Sequence, residues 1–98
     1  MAFVQIIEYT TSKAEEMRKV GEEWEQAAAG EAKARRRVLC QDRDQAGRYF
    51  NIVFFDSHEE AMANSDLPVT GEFAQRMMAL ADGPPTFYNL DVVEDRTV

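Results

Sequence analysis

The sequence predicts an α+β domain in which a four-stranded antiparallel sheet carries its helices on one face. Segments follow one another as strand, helix, two strands, helix and strand, which is the split βαβ, or ferredoxin-like, order β-α-β-β-α-β. Each helix follows a capping signal, and the strands carry apolar residues on both faces. Residues 1–98 are expected to form one domain with a single core.

The first half contains a strand and a helix. Phe3 to Thr10 is rich in branched and aromatic residues, which is typical of a strand. Ser12 and Glu15 have the spacing of a capping box, so a helix is expected to begin there, and Gly30 is a plausible stop signal. The apolar residues of this helix recur at three- and four-residue spacings, which places them on one stripe facing the sheet. The stripe consists of Met17, Val20, Gly21, Trp24 and Ala28.

Two strands joined by a loop follow. Arg35 to Asp42 predicts a short, polar strand, and Tyr49 to Phe55 predicts a strongly apolar one. Because Tyr49 to Phe55 does not alternate between apolar and polar residues, both of its faces must be covered. The helices can cover only one face of the sheet. The other face therefore needs a partner, and the simplest partner is a second copy of the chain.

The second helical region is interrupted. Ser57 and Glu60 repeat the capping-box spacing and open a short helix, which the Asn64 to Pro68 segment ends. A second helical piece follows, with Thr70 as its predicted cap. Thr86 to Val93 predicts the last strand. The buried stripe of the second helical piece consists of Phe73, Met77, Leu80 and Ala81.

Composition narrows the classes of function. A net charge of -7 disfavours nucleic acid and anionic lipid as partners, because phosphate binding relies on Lys and Arg. The single Cys40 and single His58 cannot build a zinc site, and neither a metal nor a cofactor is predicted. The longest apolar run, Met77 to Ala81, is too short to cross a membrane, and no signal peptide is expected. A cytoplasmic location follows by default.

The element order, the broken second helix SHEEAMANSDLPVTGEFAQRMMAL and the ending GPPTFYNLDVVED resemble the dimeric α/β-barrel superfamily. More narrowly, they resemble small actinobacterial proteins grouped with the antibiotic biosynthesis monooxygenase-like domains. This resemblance spans nearly the whole chain. It implies a homodimer in which two sheets pack face to face with the helices outside, and small ligands that lie between each sheet and its helices. The superfamily includes oxygenases, haem-degrading enzymes, isomerases and members with no known activity, so the resemblance implies fold more than activity.

The best-known chemistry of that superfamily is not matched here. Haem-degrading members use an Asn, a Trp and a His, and the corresponding positions hold Ile7, Asn64 and either Gln75 or Arg76. Oxygenases that act on aromatic polyketides commonly place a Trp at the end of the third strand, where this chain has Phe55.

Amides and flat side chains within the apolar pattern form the candidate ligand site. Gln5, Asn51 and Asn89 each place an amide inside an apolar strand, and an unsatisfied buried amide costs about 1 to 3 kcal/mol. The amides form either a polar patch that orients a carbonyl or phenol, or a structural hydrogen-bond network. Trp24, one turn beyond Gly21, is either a cavity wall for a flat ligand or ordinary core. The candidate pocket residues are Gln5, Ile7, Tyr9, Gly21, Trp24, Asn51, Phe73 and Met77.

Two further features have competing interpretations. His58 is the only side chain whose ordinary pKa lies near neutrality, so it is the candidate general base. Its position at a helix start also suits a surface histidine. The run from Arg35 to Arg37 is either an anion clamp or a set of charges that keeps an edge strand from pairing with other chains.

The sequence favours a homodimer that binds a small apolar or aromatic ligand between its sheet and helices. The alternative is a cofactor-independent monooxygenase or isomerase that acts on an aromatic, polyketide-like substrate. In that alternative Gln5, Asn51 and Tyr9 orient the substrate, and His58 moves a proton. Whether the protein is an enzyme stays open at this point.

Overall fold

The structure, a computed structural model, describes residues 2–98. Its strands and helices are β1 (Phe3–Thr10), α1 (Ala14–Ala27), β2 (Arg36–Gln41), β3 (Arg48–Phe55), α2 (His58–Ser65), α3 (Pro68–Leu80) and β4 (Thr86–Asp91). The strands form one antiparallel sheet in the order β2-β3-β1-β4. This confirms the predicted ferredoxin-like α+β fold, with the interrupted second helix present as α2 and α3.

The start of α1 differs from the prediction. The residue preceding the helix is Lys13, and no side chain caps it, so the capping box of Ser12 and Glu15 is wrong. Thr11 takes over the local bonding instead: its Oγ1 accepts a hydrogen bond from the Lys13 N–H at 2.9 Å and donates one to the Leu80 carbonyl at 2.7 Å. The buried Thr11 hydroxyl therefore ties the beginning of α1 to the end of α3.

The other two helices begin in different ways. Ser57 caps α2 as predicted, because its Oγ accepts a hydrogen bond from the Glu60 N–H at 3.1 Å. Thr70 does not cap α3. That helix begins after Leu67 with Pro68 in its first turn, where a missing N–H costs nothing and the fixed φ of proline suits the helix. Thr70 is thereby left inside the helix with its hydroxyl free for another contact.

Alternate residues of each strand point to opposite faces of the sheet. In β3, Asn51, Val53 and Phe55 face the helices and are buried, whereas their neighbours on the opposite face are only half-buried. Phe3 pairs with Phe55 across the strands, and their ring centroids lie 6.4 Å apart. The core cluster on the helix side consists of Phe3, Val53, Phe55 and Ala61.

The opposite face of the sheet, called here the open face, is only partly covered by residues 2–98: Val4 is 9% exposed, whereas Ile52 and Phe54 are half-buried. Its centre is apolar, with Ile52 paired to Ile6 on one side and to Val38 on the other. On the edge strand β4, Tyr88 and Leu90 expose 41% and 45% of their surface. The side chains of the open face are Val4, Ile6, Glu8, Thr10, Arg36, Val38, Cys40, Arg48, Phe50, Ile52, Phe54, Thr86, Tyr88 and Leu90.

One end of the open face carries a charged cluster. Glu8 accepts a hydrogen bond from the Tyr88 hydroxyl at 2.8 Å and another from Arg48 Nε at 3.0 Å. Arg48 also bonds to Asp42, and its guanidinium lies 4.9 Å from the centroid of the Phe50 ring. The hydrogen bonds from Tyr88 and then from Arg48 hold the pKa of Glu8 below its ordinary value. The cluster therefore favours the ionised carboxylate.

The element boundaries differ from the predicted ones by one or two residues at several ends. β2 is shorter than Arg35 to Asp42 by one residue at each end, and β4 ends at Asp91 instead of Val93. Between residues 2 and 98, no helix combines the length and apolar character that crossing a membrane requires.

Candidate functional site

A cavity of about 120 Å³ lies between the helix-facing side of the sheet and the three helices. It will be called the main lobe. β1 and β3 supply its floor and the helices supply its walls, and its surface is mostly apolar. Of the candidate pocket residues, the structure brings together around it Gln5, Ile7, Gly21, Trp24, Asn51, Phe73 and Met77.

The remaining candidate, Tyr9, lines a neighbouring cavity of about 110 Å³, the rear lobe. Tyr9 is 7% exposed and stacks on Tyr49 with the ring centroids 5.8 Å apart. Burial raises the pKa of the Tyr9 hydroxyl, which keeps it neutral as a hydrogen-bond donor. The two lobes have Ile7, Ala74 and Met77 in common.

Asn51 is the principal polar feature of the main lobe. It is 6% exposed, and its strand neighbours on either side are Ile7 and Leu39, so no polar side chain lies directly opposite it. No donor among the described residues bonds to its buried Oδ1. Leaving such an acceptor without a protein partner costs about 1 to 3 kcal/mol. The sequence left open whether Asn51 belongs to a structural hydrogen-bond network or to a patch that orients a ligand. Among the described residues, Asn51 Oδ1 is not part of such a network.

The other two strand amides bond to each other. Gln5 and Asn89 are direct neighbours across β1 and β4, and Gln5 Nε2 donates a hydrogen bond to Asn89 Oδ1 at 3.2 Å. All three amides share the helix-facing side of the sheet, but Asn51 is not part of this pair. The strand register decides this, and the register is not readable from the sequence.

Trp24 forms a fixed wall of the main lobe. Its indole Nε1 donates a hydrogen bond to Thr70 Oγ1 at 3.1 Å, which links α1 to α3. Thr70, which was expected to be a helix cap, thus orients the indole. Because the chain contains a single Trp, its fluorescence reports on this cavity alone.

Gly21 provides space for an arginine. A Cβ at this position would lie 3.2 Å from Arg37 Nη1, so the guanidinium rests against the bare backbone of α1. Arg37 Nη2 and Nε donate to Glu25 Oε1 at 2.6 and 3.0 Å. Arg37 also lines the main lobe. Sequence reasoning missed this role, although Gly21 and Glu25 are four residues apart and therefore share a helix face.

Asn64 was also missed as a lining residue. It is 6% exposed, and its Oδ1 accepts a hydrogen bond from the Lys33 N–H at 2.9 Å. It therefore closes one side of the main lobe and is satisfied by the backbone that precedes β2. Asn64 and Asn51 are equally buried, yet within residues 2–98 the Asn64 oxygen has a donor and the Asn51 oxygen has none.

The other sequence candidates lie elsewhere. His58 is exposed at the start of α2, with its ring 5.1 Å from the Phe3 ring, and it lines neither lobe. Arg35 pairs with Asp56, and the Arg36 guanidinium lies 5.4 Å from the centroid of Phe54. The three arginines are thus engaged separately and do not converge on one anion.

The chemistry available in the cavity is limited by its lining. Neither lobe is lined by a carboxylate or an imidazole from the part of the chain that is described. Across residues 2–98, no group of three His, Cys, Asp or Glu side chains comes together as metal ligands. Beside the hydrogen-bonded side chains of Gln5, Asn64 and Thr70 and the Ser65 hydroxyl, the described lining supplies one amide oxygen without a donor, one arginine paired with Glu25, and in the rear lobe the Tyr9 hydroxyl.

Comparison with known proteins identifies the fold. A Caulobacter crescentus protein described as a candidate antibiotic biosynthesis monooxygenase matches with a TM-score of 0.82 and 19% identity, over 95% of this chain and 91% of that one. SnoaB, a cofactor-independent oxygenase from Streptomyces nogalater, matches with a TM-score of 0.81 and 17% identity, over 96% and 95% of the two chains. Rv0793 from Mycobacterium tuberculosis matches with a TM-score of 0.80 and 12% identity, over 99% and 100%.

These similarities show that the chain has the fold of the antibiotic biosynthesis monooxygenase-like proteins. At these identities they concern the fold alone. Neither a protein-family model nor a curated protein matches the sequence. The narrower resemblance to actinobacterial members stays a prediction.

Proposed function

We propose that the protein binds a small, largely apolar or aromatic molecule in the main lobe, with a hydroxyl of the ligand donating to Asn51 Oδ1. The buried acceptor without a protein donor is the observation that carries this proposal. A ligand hydroxyl would remove the cost of about 1 to 3 kcal/mol that the unpartnered oxygen imposes on the free protein. The ligand hydroxyl would gain an acceptor, and Asn51 Oδ1 would gain a donor.

The rest of the lining supports a flat and neutral ligand. Trp24, Phe73 and Met77 offer apolar contact surface for a ring. Arg37 is already paired with Glu25, so the local charge is balanced and an anionic ligand gains little from it. A phenol or hydroxyquinone combines the apolar body and the hydroxyl donor that the cavity fits.

Binding is tested by isothermal titration calorimetry with phenol and 1-naphthol, and the site is located by quenching of Trp24 fluorescence with phenol. The variant Asn51→Ala is expected to weaken binding by about tenfold or more, since a hydrogen bond to a buried group is worth about 1 to 3 kcal/mol. Gln75→Ala, which removes an exposed amide from α3, is the matched control and should bind as the wild type does. Equal affinities in all three proteins would contradict the proposal.

We also propose that two copies pair through the open face. Its centre of isoleucine, valine and phenylalanine side chains is contiguous across three strands, and a face of this kind marks an interaction surface. A second identical sheet matches it in shape and in apolar character. The pairing would bury the half-exposed side of β3 that gave this strand its non-alternating sequence.

A second candidate function is cofactor-independent monooxygenation of an aromatic substrate, which is favoured by the structural similarity to SnoaB. 1-Naphthol is a suitable probe: its C4–H carbon and its C1 hydroxyl carbon become the two carbonyls of 1,4-naphthoquinone, one oxygen atom of O₂ enters the product, and the other leaves as water. Oxygen uptake should be faster in the wild type than in Asn51→Ala. Uptake equal to that of buffer would remove this candidate without affecting binding. Isomerisation has less support, because the described lining offers no carboxylate or imidazole as a base.

A further inference from the structure

The two lobes meet at a boundary formed by the three residues they have in common, Ile7, Ala74 and Met77. A cavity of roughly 150 Å³ accommodates one benzene ring. At about 120 and 110 Å³, each lobe has room for about one ring. A fused two-ring molecule with both rings inside the protein would therefore have to occupy both lobes.

The three boundary residues differ in their freedom to move. Ile7 is β-branched and held in the central strand β1, which is paired on both sides. Ala74 has no side-chain rotamers. Met77 has three rotatable bonds beyond its Cα and adapts readily to irregular spaces. Met77 is half-buried on α3, so its side chain can rotate toward solvent.

The lobes also differ in polarity. The main lobe contains the unpartnered Asn51 oxygen, whereas the rear lobe is lined by apolar residues such as Met17 and Phe87, with Tyr9 as its polar member. A ligand that spans both would place its hydroxyl in the main lobe and its unsubstituted ring in the rear lobe.

We propose that Met77 is the residue that sets ligand size: its side chain separates the lobes when a single-ring phenol is bound, and it moves aside when a fused-ring phenol occupies both. This inference rests on the proposed function, and it adds the substrate class. Displacing a packed side chain costs about 1 to 3 kcal/mol, and that cost falls on the fused-ring ligand alone.

The test compares phenol and 1-naphthol by calorimetry in wild type, Met77→Ala and Met77→Leu. Met77→Ala removes the divider and an apolar contact that either probe can make, so the affinity for 1-naphthol relative to that for phenol should rise about tenfold. Met77→Leu keeps the volume but loses flexibility, so the affinity for 1-naphthol relative to that for phenol should fall. Met62→Ala, the same substitution at an exposed position on α2 that lines neither lobe, is the matched control.

The outcomes separate the two proposals. If both probes bind and the ratio of their affinities is the same in all four proteins, Met77 does not set ligand size, and binding at Asn51 stands. A ratio that changes equally in Met62→Ala also overturns the role of Met77. If neither probe binds the wild type, both proposals fail. Because Met77→Leu conserves volume and helix propensity, it keeps the test valid should Met77→Ala unfold.

Discussion

The two faces of the sheet present the same kinds of residue in different situations. On the helix side, Phe55 and Val53 are buried in the core and Asn51 borders a cavity. On the open face, Phe54 and Ile52 belong to the same strand but are only half-buried. The apolar character of β3 therefore has two causes. Residues of one parity build the core of the single chain, and residues of the other parity form the open face, which we propose is covered by a second copy.

The largest effect is expected from a charge at the centre of the open face. Ile52→Arg would place an uncompensated charge in an apolar interface, which costs about 3 to 5 kcal/mol, so self-association should weaken by a thousandfold or so. Sedimentation velocity at micromolar concentration should give a dimer for the wild type and a monomer for the variant. Ile52→Val is the conservative control and should remain dimeric. A monomeric wild type would contradict the proposed pairing.

Phe54 and Phe55 are adjacent in β3 and lie on opposite faces of the sheet. In the monomeric Ile52→Arg background, Phe55→Ala should lower the free energy of unfolding by about 3 kcal/mol or more, because Phe55 is 4% exposed in the core. Phe54→Ala should cost much less, since its ring lies on the uncovered face beneath Arg36. Urea denaturation measures both. Equal losses would mean that the two faces are covered alike in the single chain.

A smaller effect concerns Gly21 on the helix side. Replacing a mid-helix glycine with alanine normally gains about 1 kcal/mol. Here the new Cβ would press on the Arg37 guanidinium at 3.2 Å, so most of that gain should be lost. Gly21→Ala should therefore stabilise an Arg37→Ala protein by about 1 kcal/mol and the wild type by clearly less. The same gain in both backgrounds would show that Arg37 does not require the glycine.

The smallest effect is the pH dependence at the charged end of the open face. The pKa of Glu8 is lowered on folding, so its ionised form contributes stability above the ordinary value of 4.5, and that contribution is lost as pH falls through the folded pKa. In the Ile52→Arg background, the thermal stability of Glu8→Gln should fall less steeply below pH 4.5 than that of the protein with Glu8. Glu72→Gln, at an exposed position on α3, is the control. An unchanged acid slope in Glu8→Gln would contradict the assignment.

Most of the fold could be predicted because it depends on local periodicity. The strand and helix order follows from runs of branched and aromatic residues, three- and four-residue spacing and the Ser57 cap, all of which act within a few residues. The predicted helix caps at Ser12 and Thr70 were wrong because hydrogen bonds between distant segments determine the local structure there. Thr11 bonds to the backbone of Leu80, and Thr70 bonds to Trp24, so tertiary contacts replaced the expected local caps.

The candidate site was only partly accessible from sequence. Trp24 and Asn51 could be identified from the sequence as unusual residues. Whether Asn51 faces a ligand or joins a structural network depends on the strand register, which the sequence does not give. Only the pairing of Asn51 between Ile7 and Leu39 separates it from the bonded Gln5 and Asn89. Arg37 looked like part of a charged run because the sequence does not tell which face of β2 it occupies.

We propose that Asn51 Oδ1 accepts a hydrogen bond from a ligand, and that its lack of a protein donor lowers the free energy of unfolding of the unliganded protein. Asn51 and Asn64 are both 6% exposed and both line the main lobe, but the Asn64 oxygen accepts a hydrogen bond from the Lys33 N–H, whereas no donor in the described part of the chain bonds to the Asn51 oxygen. The most direct measurement is therefore the free energy of unfolding and the phenol affinity of Asn51→Leu beside those of Asn64→Leu. Asn51→Leu should stabilise the free protein by about 1 kcal/mol and weaken phenol binding at least tenfold, whereas Asn64→Leu should destabilise it by about 1 to 3 kcal/mol. A destabilised Asn51→Leu protein that binds phenol as the wild type does would contradict the claim.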